Sequence, residues 1–483
     1  MTQNIIRKGR LAEPDTDVSL FLSSINADEW LFRYDILVDI AHVDMLNKQA
    51  VIAPTTCSAL KSALRKIHER GYTQLPRNLD DVHVAIETAL VEEIGGVRAG
   101  WMHVGRSRND EVAACIRLAT RDALLSAIEA ALLLQQTLLE RAGDHVNTIM
   151  PGFTHLQHAQ PTTLGHHLLA YFDALERDLK RLASCYMRTN QSPLGAAAFG
   201  GTGWPLDREA VASALGFDGI IENSMDAVST RDFVIETLAA LSNVMITLSR
   251  IAEELIIWTS SEFSYAELDD RFASTSSIMP QKKNPDPLEL IRAKTGSVVG
   301  ALTSSLMICK ALPYSYNLDL QEVTPHLHSA INETTACMKI ASGILSTLIV
   351  NKDRLRHMSS EGFTTATELA DTIARVTGVP FRTAHTIVGE LTQVGKYDLE
   401  TIDLVGKQHV GKRLSGLGLT VDDVSQALDV NVNVARRGTK GGPAPAEVTH
   451  MLKARRRRLR TQERRLALQR NVIKKLEGDL LRD

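Results

Sequence analysis

The chain has 483 residues, enough for two or three domains, and its formal net charge is −3 at neutral pH. Hydrophobic residues make up 44% of it and aromatic residues only 5%, a composition typical of a mostly helical protein. The small net charge gives no general reason to expect a polyanionic partner, and the sequence lacks an uninterrupted apolar run long enough to span a membrane. Residues 1–8 lack an apolar signal core, so we expect a cytoplasmic protein.

Three regions follow one another along the chain. Residues 1–112 mix helical patches with loops, residues 113–358 carry long helical runs, and residues 359–483 form a smaller, largely helical region. Apolar residues recur every three or four positions within 232–261, as in the seam of a helix bundle. The seam consists of Leu238, Leu241, Met245, Leu248, Ala252 and Leu255. Similar runs occur at 113–146, 165–190, 287–312 and 325–357. The sequence therefore predicts a mainly α fold, a three-domain chain with a central bundle of long helices.

Polar elements interrupt these helices, beginning with Ser24-Ile25 and Asp80-Asp81-Val82-His83. The segment 103–110, His-Val-Gly-Arg-Ser-Arg-Asn-Asp, then places cations, an amide and a hydroxyl immediately before a long helix. Arginine is well suited to bind carboxylates. On these residues alone, a solvated helix entry fits the segment as well as a ligand site does.

A second polar loop, 152–161, lies between two predicted helices and contains His155. A single histidine in such a loop is more often structural than catalytic. Further along, Tyr316 and Gln321 belong to the polar stretch 316–322.

The segment 274–289 is the most informative of the polar stretches. Ser276 and Ser277 precede Lys282 by six and five residues, and Asn284 before Pro285 is typical of a helix N-cap followed by proline. Helix N-termini favour anions, so this segment could hold a carboxylate beside a proton acceptor. A well-capped surface loop has the same composition, and that alternative stays open here.

Cysteines and the basic tail predict neither a metal site nor a nucleic-acid site. The five cysteines are scattered without a Cys-x-x-Cys pair, which favours free, mostly buried thiols. The segment 453–475 is rich in arginine and lysine and could bind nucleic acid. It lacks interleaved aromatic residues, and Leu459, Leu466, Val472, Ile473 and Leu476 favour an amphipathic packing helix instead.

Taken together, the polar elements resemble those of the fumarase/aspartase superfamily, in the same order, from about residue 20 to residue 445. The segment 275–284 resembles the signature Gly-Ser-Ser-x-Met-Pro-x-Lys-x-Asn, and Gln281-Lys282-Lys283 is similar to its argininosuccinate lyase branch. The loop containing His155 resembles the motif Thr-His-x-Gln-x-Ala-Gln-Pro. Two residues depart from the pattern: Thr275 replaces a glycine that would let the loop hinge, and Thr324 stands where many relatives carry lysine.

The resemblance implies a reversible β-elimination of argininosuccinate to arginine and fumarate, the last step of arginine biosynthesis, without a metal or organic cofactor. It implies Ser276 as the base, His155 held by Glu289 as the acid, and Lys282 as a stabiliser of negative charge. It implies Arg106 and Asp110 as residues that hold their loop, and a homotetramer whose sites converge from three subunits. The implied substrate contacts are Ser24, His83, Ser107, Arg108, Asn109, Thr154, Asn284, Tyr316 and Gln321.

Two alternatives remain at this stage. One is a carbon–nitrogen lyase of the same superfamily that acts on another N-substituted aspartate, for which Thr275 and Thr324 leave room. The other is a catalytically silent structural protein on this fold.

Overall fold

The structure is a computed structural model, and it describes residues 15–482. Residues 1–8, on which the expectation of no signal core depends, lie outside the described residues. Helices dominate the described part, and eight short strands form four two-stranded sheets. The predicted mainly α fold is confirmed.

The helices fall into three sequential groups. The N-terminal group comprises α1 (Thr16–Leu22), α2 (Glu29–Lys48), α3 (Pro54–Arg70), α4 (Val82–Ile94) and α5 (Gly96–Ala99). The central group comprises α6 (Arg108–Asp144), α7 (Leu164–Thr189), α8 (Arg208–Ala214), α9 (Ser224–Ser229), α10 (Asp232–Thr259), α11 (Asp286–Cys309), α12 (Val323–Thr347) and α13 (Lys352–Ser360). The C-terminal group comprises α14 (Ala366–Thr377), α15 (Phe381–Val394), α16 (Leu399–Val410), α17 (Val421–Leu428), α18 (Val430–Arg436) and α19 (Pro445–Leu481).

The strands are β1 (Ile149–Thr154), β2 (Gln157–Thr163), β3 (Gln191–Ser192), β4 (Gly219–Ile220), β5 (Ala266–Glu267), β6 (Ser274–Thr275), β7 (Lys283–Asn284) and β8 (Ile349–Val350). The pairs β1–β2, β5–β8 and β6–β7 are antiparallel, and β3–β4 is parallel. Two of these pairs lie where the sequence predicted plain loops. The loop at 152–161 is the hairpin β1–β2, and the segment 274–289 begins with the hairpin β6–β7.

Five long helices, α6, α7, α10, α11 and α12, pack together as the central bundle. All six predicted seam residues of α10 are buried in its core. By length and composition alone, α6 and α10 could cross a membrane, but 61% and 56% of their most apolar windows are buried inside the molecule. Their apolar character is therefore explained by packing in the core of the bundle.

The bundle has two ends, and chain direction decides which residues lie at each. The first end has the beginnings of α6, α10 and α12 and the last turn of α11, because Cys309 lies near Arg231. The second end has the last turns of α6, α10 and α12 and the beginning of α11. At about 1.5 Å per residue, the 24 residues of α11 separate the two ends by roughly 36 Å.

Two hydrophobic cores divide the C-terminal group. Helices α14–α17 enclose a core of their own, which includes Leu369, Ile387 and Leu414. The buried side chains of α19 belong instead to the large core, because this helix packs along α6 and touches α2 and α7. The domain boundaries at 112 and 358 stay a prediction.

The amphipathic helix predicted for the basic tail is observed as part of α19, although two of its five predicted apolar residues lie off the buried stripe, since Val472 is exposed and Leu476 is only partly buried. Its buried residues recur every seven positions, at Leu452, Leu459, Leu466, Ile473 and Leu480. Some of its arginines reach acidic side chains of the bundle: Arg458 Nε donates to Glu176 Oε1 at 2.6 Å, and Arg470 Nη2 to Glu129 Oε2 at 2.8 Å. The positive charge of the tail thus serves in part to attach α19 to the bundle.

Candidate active site

A cavity of about 230 Å³ opens at the first end of the bundle, between the N-terminal helices and the beginnings of α6 and α12. We call it the Arg108 cavity. Six of the nine predicted substrate contacts line it: Ser24, His83, Arg108, Asn109, Tyr316 and Gln321. Residues that are more than 290 positions apart in sequence therefore converge within one chain.

Arg108, at the first position of α6, forms an ion pair with Asp81. Its Nη1 lies 2.7 Å from Asp81 Oδ2, while the other carboxylate oxygen of Asp81 caps α4 by accepting from Val84 N at 2.8 Å. The guanidinium is thereby fixed in the cavity wall although about a third of the side chain stays accessible. Such a fixed, planar donor set is suited to a ligand carboxylate.

Ser24 and Asp28 form a second polar contact in the cavity. Ser24 Oγ donates to Asp28 Oδ2 at 2.7 Å, and Val82 N donates to the same oxygen at 3.2 Å. Burial raises the pKa of the Asp28 carboxyl, although the bond from Ser24 and the charge of His83 act in the opposite direction. A buried carboxylate here can accept hydrogen bonds from a cationic or amino ligand.

Ser107, Asn109 and Asp110 organise the loop that precedes the cavity. Ser107 is the N-cap of α6 and completes a capping box with Asp110. The second carboxylate oxygen of Asp110 accepts from Gly195 N at 3.0 Å and Ala197 N at 2.9 Å. Asp110 thus holds two segments together, as the sequence predicted, and its burial raises the pKa of the carboxyl to about 6.

The far wall of the Arg108 cavity comes from the segment between α11 and α12. Burial raises the pKa of Tyr316, and the nearby Arg231 opposes that change. Gln321 Nε2 donates to the Leu22 carbonyl at 3.4 Å. Thr324, in the position of the family lysine, is buried and also lines the cavity.

His83 belongs to a buried group of charged side chains that the sequence analysis missed. Its Nδ1 lies 2.9 Å from Asp35 Oδ2, and Arg106 forms ion pairs with Asp39 at 2.5 Å and Glu111 at 3.0 Å. Arg106 therefore holds its loop by buried charge pairs, as expected. The sequence signal was present, because Asp35 and Asp39 repeat at a spacing of four among the apolar residues 36–41 of helix α2 and its neighbouring turns.

The three carboxylates Asp35, Asp39 and Glu111 come close enough together to resemble a metal site. Arg106 and His83 lie directly among them, however, so cations of the chain already neutralise this group. This geometry fits an internal charge cluster better than a metal centre.

The Ser276 loop, residues 274–285, lies at the second end of the bundle. Its two strands pair Ser274 with Asn284 and Thr275 with Lys283. Thr275 thus has the extended backbone of a strand, which a β-branched residue adopts readily. The predicted N-cap at Asn284 is wrong by one residue, because Asn284 lies in β7 and Pro285 takes the cap position of α11.

Ser276 is held at the turn of this loop by backbone donors. Ile278 N and Met279 N donate to Ser276 Oγ at 3.3 and 3.1 Å. The loop also closes on itself, since Lys282 N donates to the Met279 carbonyl at 3.0 Å. The hydroxyl oxygen therefore lies in a nest of N–H groups that favours negative charge on it.

Lys282, Asn284 and Glu289 line a second cavity, of about 710 Å³, beside the Ser276 loop. Lys283 also lines this cavity, but its Nζ is paired with Glu267 at 3.0 Å and with Asp270 at 2.7 Å. The side chains of Lys282 and Glu289 are exposed. They are accessible to a ligand or to another copy of the chain.

The His155 hairpin is the pair β1–β2, and it also lies at the second end. Its two central residues, His155 and Leu156, both have a φ of 56°, which directs their exposed side chains outward from a tight turn. Thr154 precedes them and is exposed as well. His158, interpreted as structural, packs edge-on against Phe153 at 5.1 Å between ring centres.

The structure thus brings the predicted residues together in two places rather than one. Substrate contacts of the Arg108 cavity lie at the first end, and Ser276, Lys282, Asn284 and Glu289 lie with His155 at the second end. Within residues 15–482, no hydrogen bond or ion pair joins His155 to Glu289, so that predicted pairing stays a prediction. The sequence motifs predict these residues but could not assign them to opposite ends of the bundle.

Family models match most of the chain. Residues 18–300 match a model described as Lyase, and residues 363–435 match one described as Argininosuccinate lyase C-terminal. The chain is 51% identical to the argininosuccinate lyase of Methanococcoides burtonii over 94% of this chain and 93% of that relative. It is 50% identical to the argininosuccinate lyase of Methanosarcina mazei over 99% of this chain and 98% of that relative.

Solved structures agree on the fold. The crystal structure of EDDS lyase in complex with formate has a chain whose sequence is 33% identical to this one. The two structures align with a TM-score of 0.86 over 97% of this chain and 95% of the EDDS lyase chain. Class II fumarase from Schistosoma mansoni is 15% identical, with a TM-score of 0.72 over 88% of this chain and 95% of that one, and shows the fold alone.

Proposed function

The chain belongs to the argininosuccinate lyase family, and from this premise we propose how its residues divide the work of the reaction. As a carbon–nitrogen lyase it converts argininosuccinate reversibly into arginine and fumarate, the last step of arginine biosynthesis. A proton leaves the carbon beside a carboxylate, the carbon–nitrogen bond breaks, and the guanidinium nitrogen departs with a proton. Each of these events needs its own group.

Ser276 is the proposed base, and the two N–H groups on its Oγ are the observation that carries this assignment. A serine hydroxyl is a poor base unless its anionic form is stabilised. Oriented N–H donors stabilise that form, and Lys282, whose carbonyl accepts from Ser276 N at 3.4 Å, adds a positive charge in the same loop. The Ser276 loop therefore has the features that would let a serine accept the proton.

Lys282, Asn284 and the N-terminus of α11 are proposed to stabilise the intermediate. Loss of the proton converts the adjacent carboxylate into a dianionic aci-carboxylate, and stabilising this charge is the largest demand on the site. Lys282 and Asn284 line the same cavity at the beginning of α11. A cation, an amide donor and a helix N-terminus together suit that charge.

His155 is the proposed acid, supported by Glu289, and the two are proposed to meet between subunits. Both side chains are exposed, the first at a hairpin tip and the second in the first turn of α11. A carboxylate beside an imidazole fixes its tautomer and stabilises its protonated form. His155 would then protonate the departing nitrogen directly or through water, and Thr154 would contact the substrate.

The oligomer is proposed to be a homotetramer that joins the two ends of different chains. Roughly 36 Å of α11 separates the Arg108 cavity from the Ser276 loop, too far for one substrate to reach both. In α11 the buried residues are only Leu288, Ile291, Val298 and Ser305, while Leu290, Leu306 and Met307 are exposed. Apolar residues left exposed on a central helix favour packing against other copies.

We also propose a cytoplasmic location for the enzyme.

The assignment of the base is tested by Ser276→Ala, with Ser277→Ala as the matched control on the next residue. Loss of the base should lower kcat for fumarate release from argininosuccinate by roughly 10²–10⁴-fold, with KM little changed, because the hydroxyl acts in the transition state. The control should stay near the wild-type rate. Near-normal turnover by Ser276→Ala would contradict the assignment.

A second candidate substrate class is favoured by the similarity to EDDS lyase. That likeness and the presence of Thr324 in the Arg108 cavity leave room for activity on other N-substituted aspartates. Fumarate release measured across several such compounds distinguishes a dedicated argininosuccinate lyase from a broader enzyme.

A further inference from the structure

A cluster of five charged side chains lies behind the Arg108 cavity and has no part in the proposed chemistry. Asp35 and Asp39 come from α2, His83 from α4, and Arg106 and Glu111 from the beginning of α6. Each is less than 9% exposed. Burying five such groups is costly unless they pair closely, so their arrangement requires an explanation.

His83 connects this cluster to the cavity. The residue lines the cavity, and its Nδ1 faces Asp35 Oδ2 at 2.9 Å and Glu111 Oε1 at 4.0 Å. With Nδ1 engaged by the carboxylates, Nε2 is the ring nitrogen that remains for a ligand. One end of the imidazole is therefore fixed inside the protein, and the other is free to donate.

The charges of the cluster favour a protonated His83. Burial alone lowers the pKa of His83, but the charge of Asp35 and its bond to the ring raise it to about 10. Burial raises the pKa of Glu111 well above its usual range, although Arg106 opposes this. Burial likewise raises the pKa of Asp39, to about 7, whereas the charge of His83 and its bond to Asp35 lower the pKa of Asp35 against the effect of burial. Asp35 is therefore the carboxylate that pairs with the charged imidazole.

A ligand carboxylate in the Arg108 cavity requires cationic donors from its lining residues. Among the described residues that line it, Arg108 and His83 are the cationic side chains, and Arg108 is already paired with Asp81. Asp28 and Glu322 add negative charge, and Thr324 adds none. A carboxylate that enters such a cavity is bound best by both cationic donors together, the N–H groups of Arg108 that do not bind Asp81 and Nε2 of His83, each held in place by one carboxylate of the chain.

We propose that Asp35 is a positioning residue, which holds His83 charged and fixed so that its Nε2 anchors the α-carboxylate of the arginine end of the substrate. The proposal rests on the proposed function in one respect, that the Arg108 cavity receives the amino-acid end. Asp35 itself touches no ligand. It acts through the histidine, in the way a buried carboxylate fixes the tautomer and charge of an imidazole.

The test is calorimetric binding of L-arginine at pH 6 and pH 8.5, which requires no turnover and so stands even if the roles of Ser276 and His155 are wrong. The variants are Asp35→Asn, His83→Gln and the pair combined. The titratable and charged groups around the ring are Asp28, Asp35 and Asp39 on the side of α2, Asp81 before α4, and Arg106, Glu111 and Cys115 at α6.

Without Asp35, burial should dominate and leave His83 neutral at pH 8.5. We expect Asp35→Asn to raise Kd roughly tenfold or more at pH 8.5, as for loss of a charge-assisted hydrogen bond, and to recover part of the affinity at pH 6. His83→Gln should weaken binding at both pH values, and the double variant should bind no worse than His83→Gln. If Asp35 has a purely structural role, the losses of affinity in the two single variants should be independent of pH and should add in the double variant. That result would overturn the proposal.

A matched control and a rescue keep the test decisive. Asp178→Asn changes another buried aspartate, in α7, where Thr247 and Arg181 are its partners, and should keep the wild-type Kd and its pH dependence. If Asp35→Asn does not fold, His83→Lys is compared with His83→Gln. A lysine that restores affinity supports a cationic anchor, and a lysine that binds no better than glutamine contradicts it.

Discussion

At the scale of single residues, the backbone around a side chain decides what that side chain can do. Ser276 and Ser277 are neighbours with the same hydroxyl, but Ser276 Oγ receives two backbone N–H groups. His83 and His155 differ in the same way, since one is buried against Asp35 and the other is exposed at a hairpin tip. Position in the fold therefore distinguishes Ser276, the proposed base, from Ser277, and His83, the proposed charged anchor, from His155.

Buried histidines also make stability depend on pH. His145 caps the end of α6, and burial lowers its pKa to about 4, with the charges of Arg141 and Lys352 acting in the same direction. The unfolded chain then binds this proton between about pH 6.5 and pH 4, whereas the folded chain does not. Its contribution to the free energy of unfolding is therefore complete above pH 6.5 and is lost as the pH falls.

We expect His145→Gln to reduce the slope of the free energy of unfolding against pH by up to about 1.4 kcal/mol per pH unit, which is the slope that uptake of one proton on unfolding produces. The measurement is Tm at fixed protein concentration from pH 7 to pH 4.5. His357→Gln, a change at an exposed histidine of α13, is the control and should follow the wild type. Parallel curves for His145→Gln and the wild type would contradict the assignment.

At the scale of elements, periodic helices could be predicted from the sequence and short strands could not. The runs 113–146, 165–190 and 232–261 correspond closely to α6, α7 and α10, because a buried stripe repeats over many turns. The hairpin at His155 was missed because its turn needs positive φ at a histidine and a leucine, which local sequence disfavours. The run 325–357 was predicted as one helix, but the strand β8 separates α12 from α13 where it pairs with β5.

Helix α19 provides a test at the same scale. Leu459 is buried in its seven-residue repeat, whereas Leu468 on the same helix is 67% exposed. Leu459→Ala should lower the free energy of unfolding by about 2–5 kcal/mol, because it removes buried apolar atoms and leaves a cavity. Leu468→Ala should change it by less than about 0.5 kcal/mol. Thermal or urea unfolding measures both, and equal effects would show that α19 does not pack as described.

At the scale of the whole molecule, the distribution of site residues explains why the motifs do not form one site in a single chain. The resemblance assigns Arg108, Tyr316 and Ser276 to the same family site, and this assignment stays a prediction. The structure places the first two at one end of the bundle and Ser276 at the other. Sequence could not reveal this, because the direction of each helix in the bundle depends on packing between distant segments. A site shared between subunits is the proposal that would join the two ends.

Mixing two inactive variants tests this claim most directly. Arg108→Ala alters the first end and Ser276→Ala the second, so each alone should release little fumarate from argininosuccinate. The two variants are mixed in equal amounts, dissociated and reassembled together. If the two ends of a site come from different subunits, about a quarter of the sites should then combine an intact Arg108 from one subunit with an intact Ser276 from another. Recovery near that level is the predicted result. No recovery, in mixed oligomers verified by native mass spectrometry, would contradict a site shared between subunits.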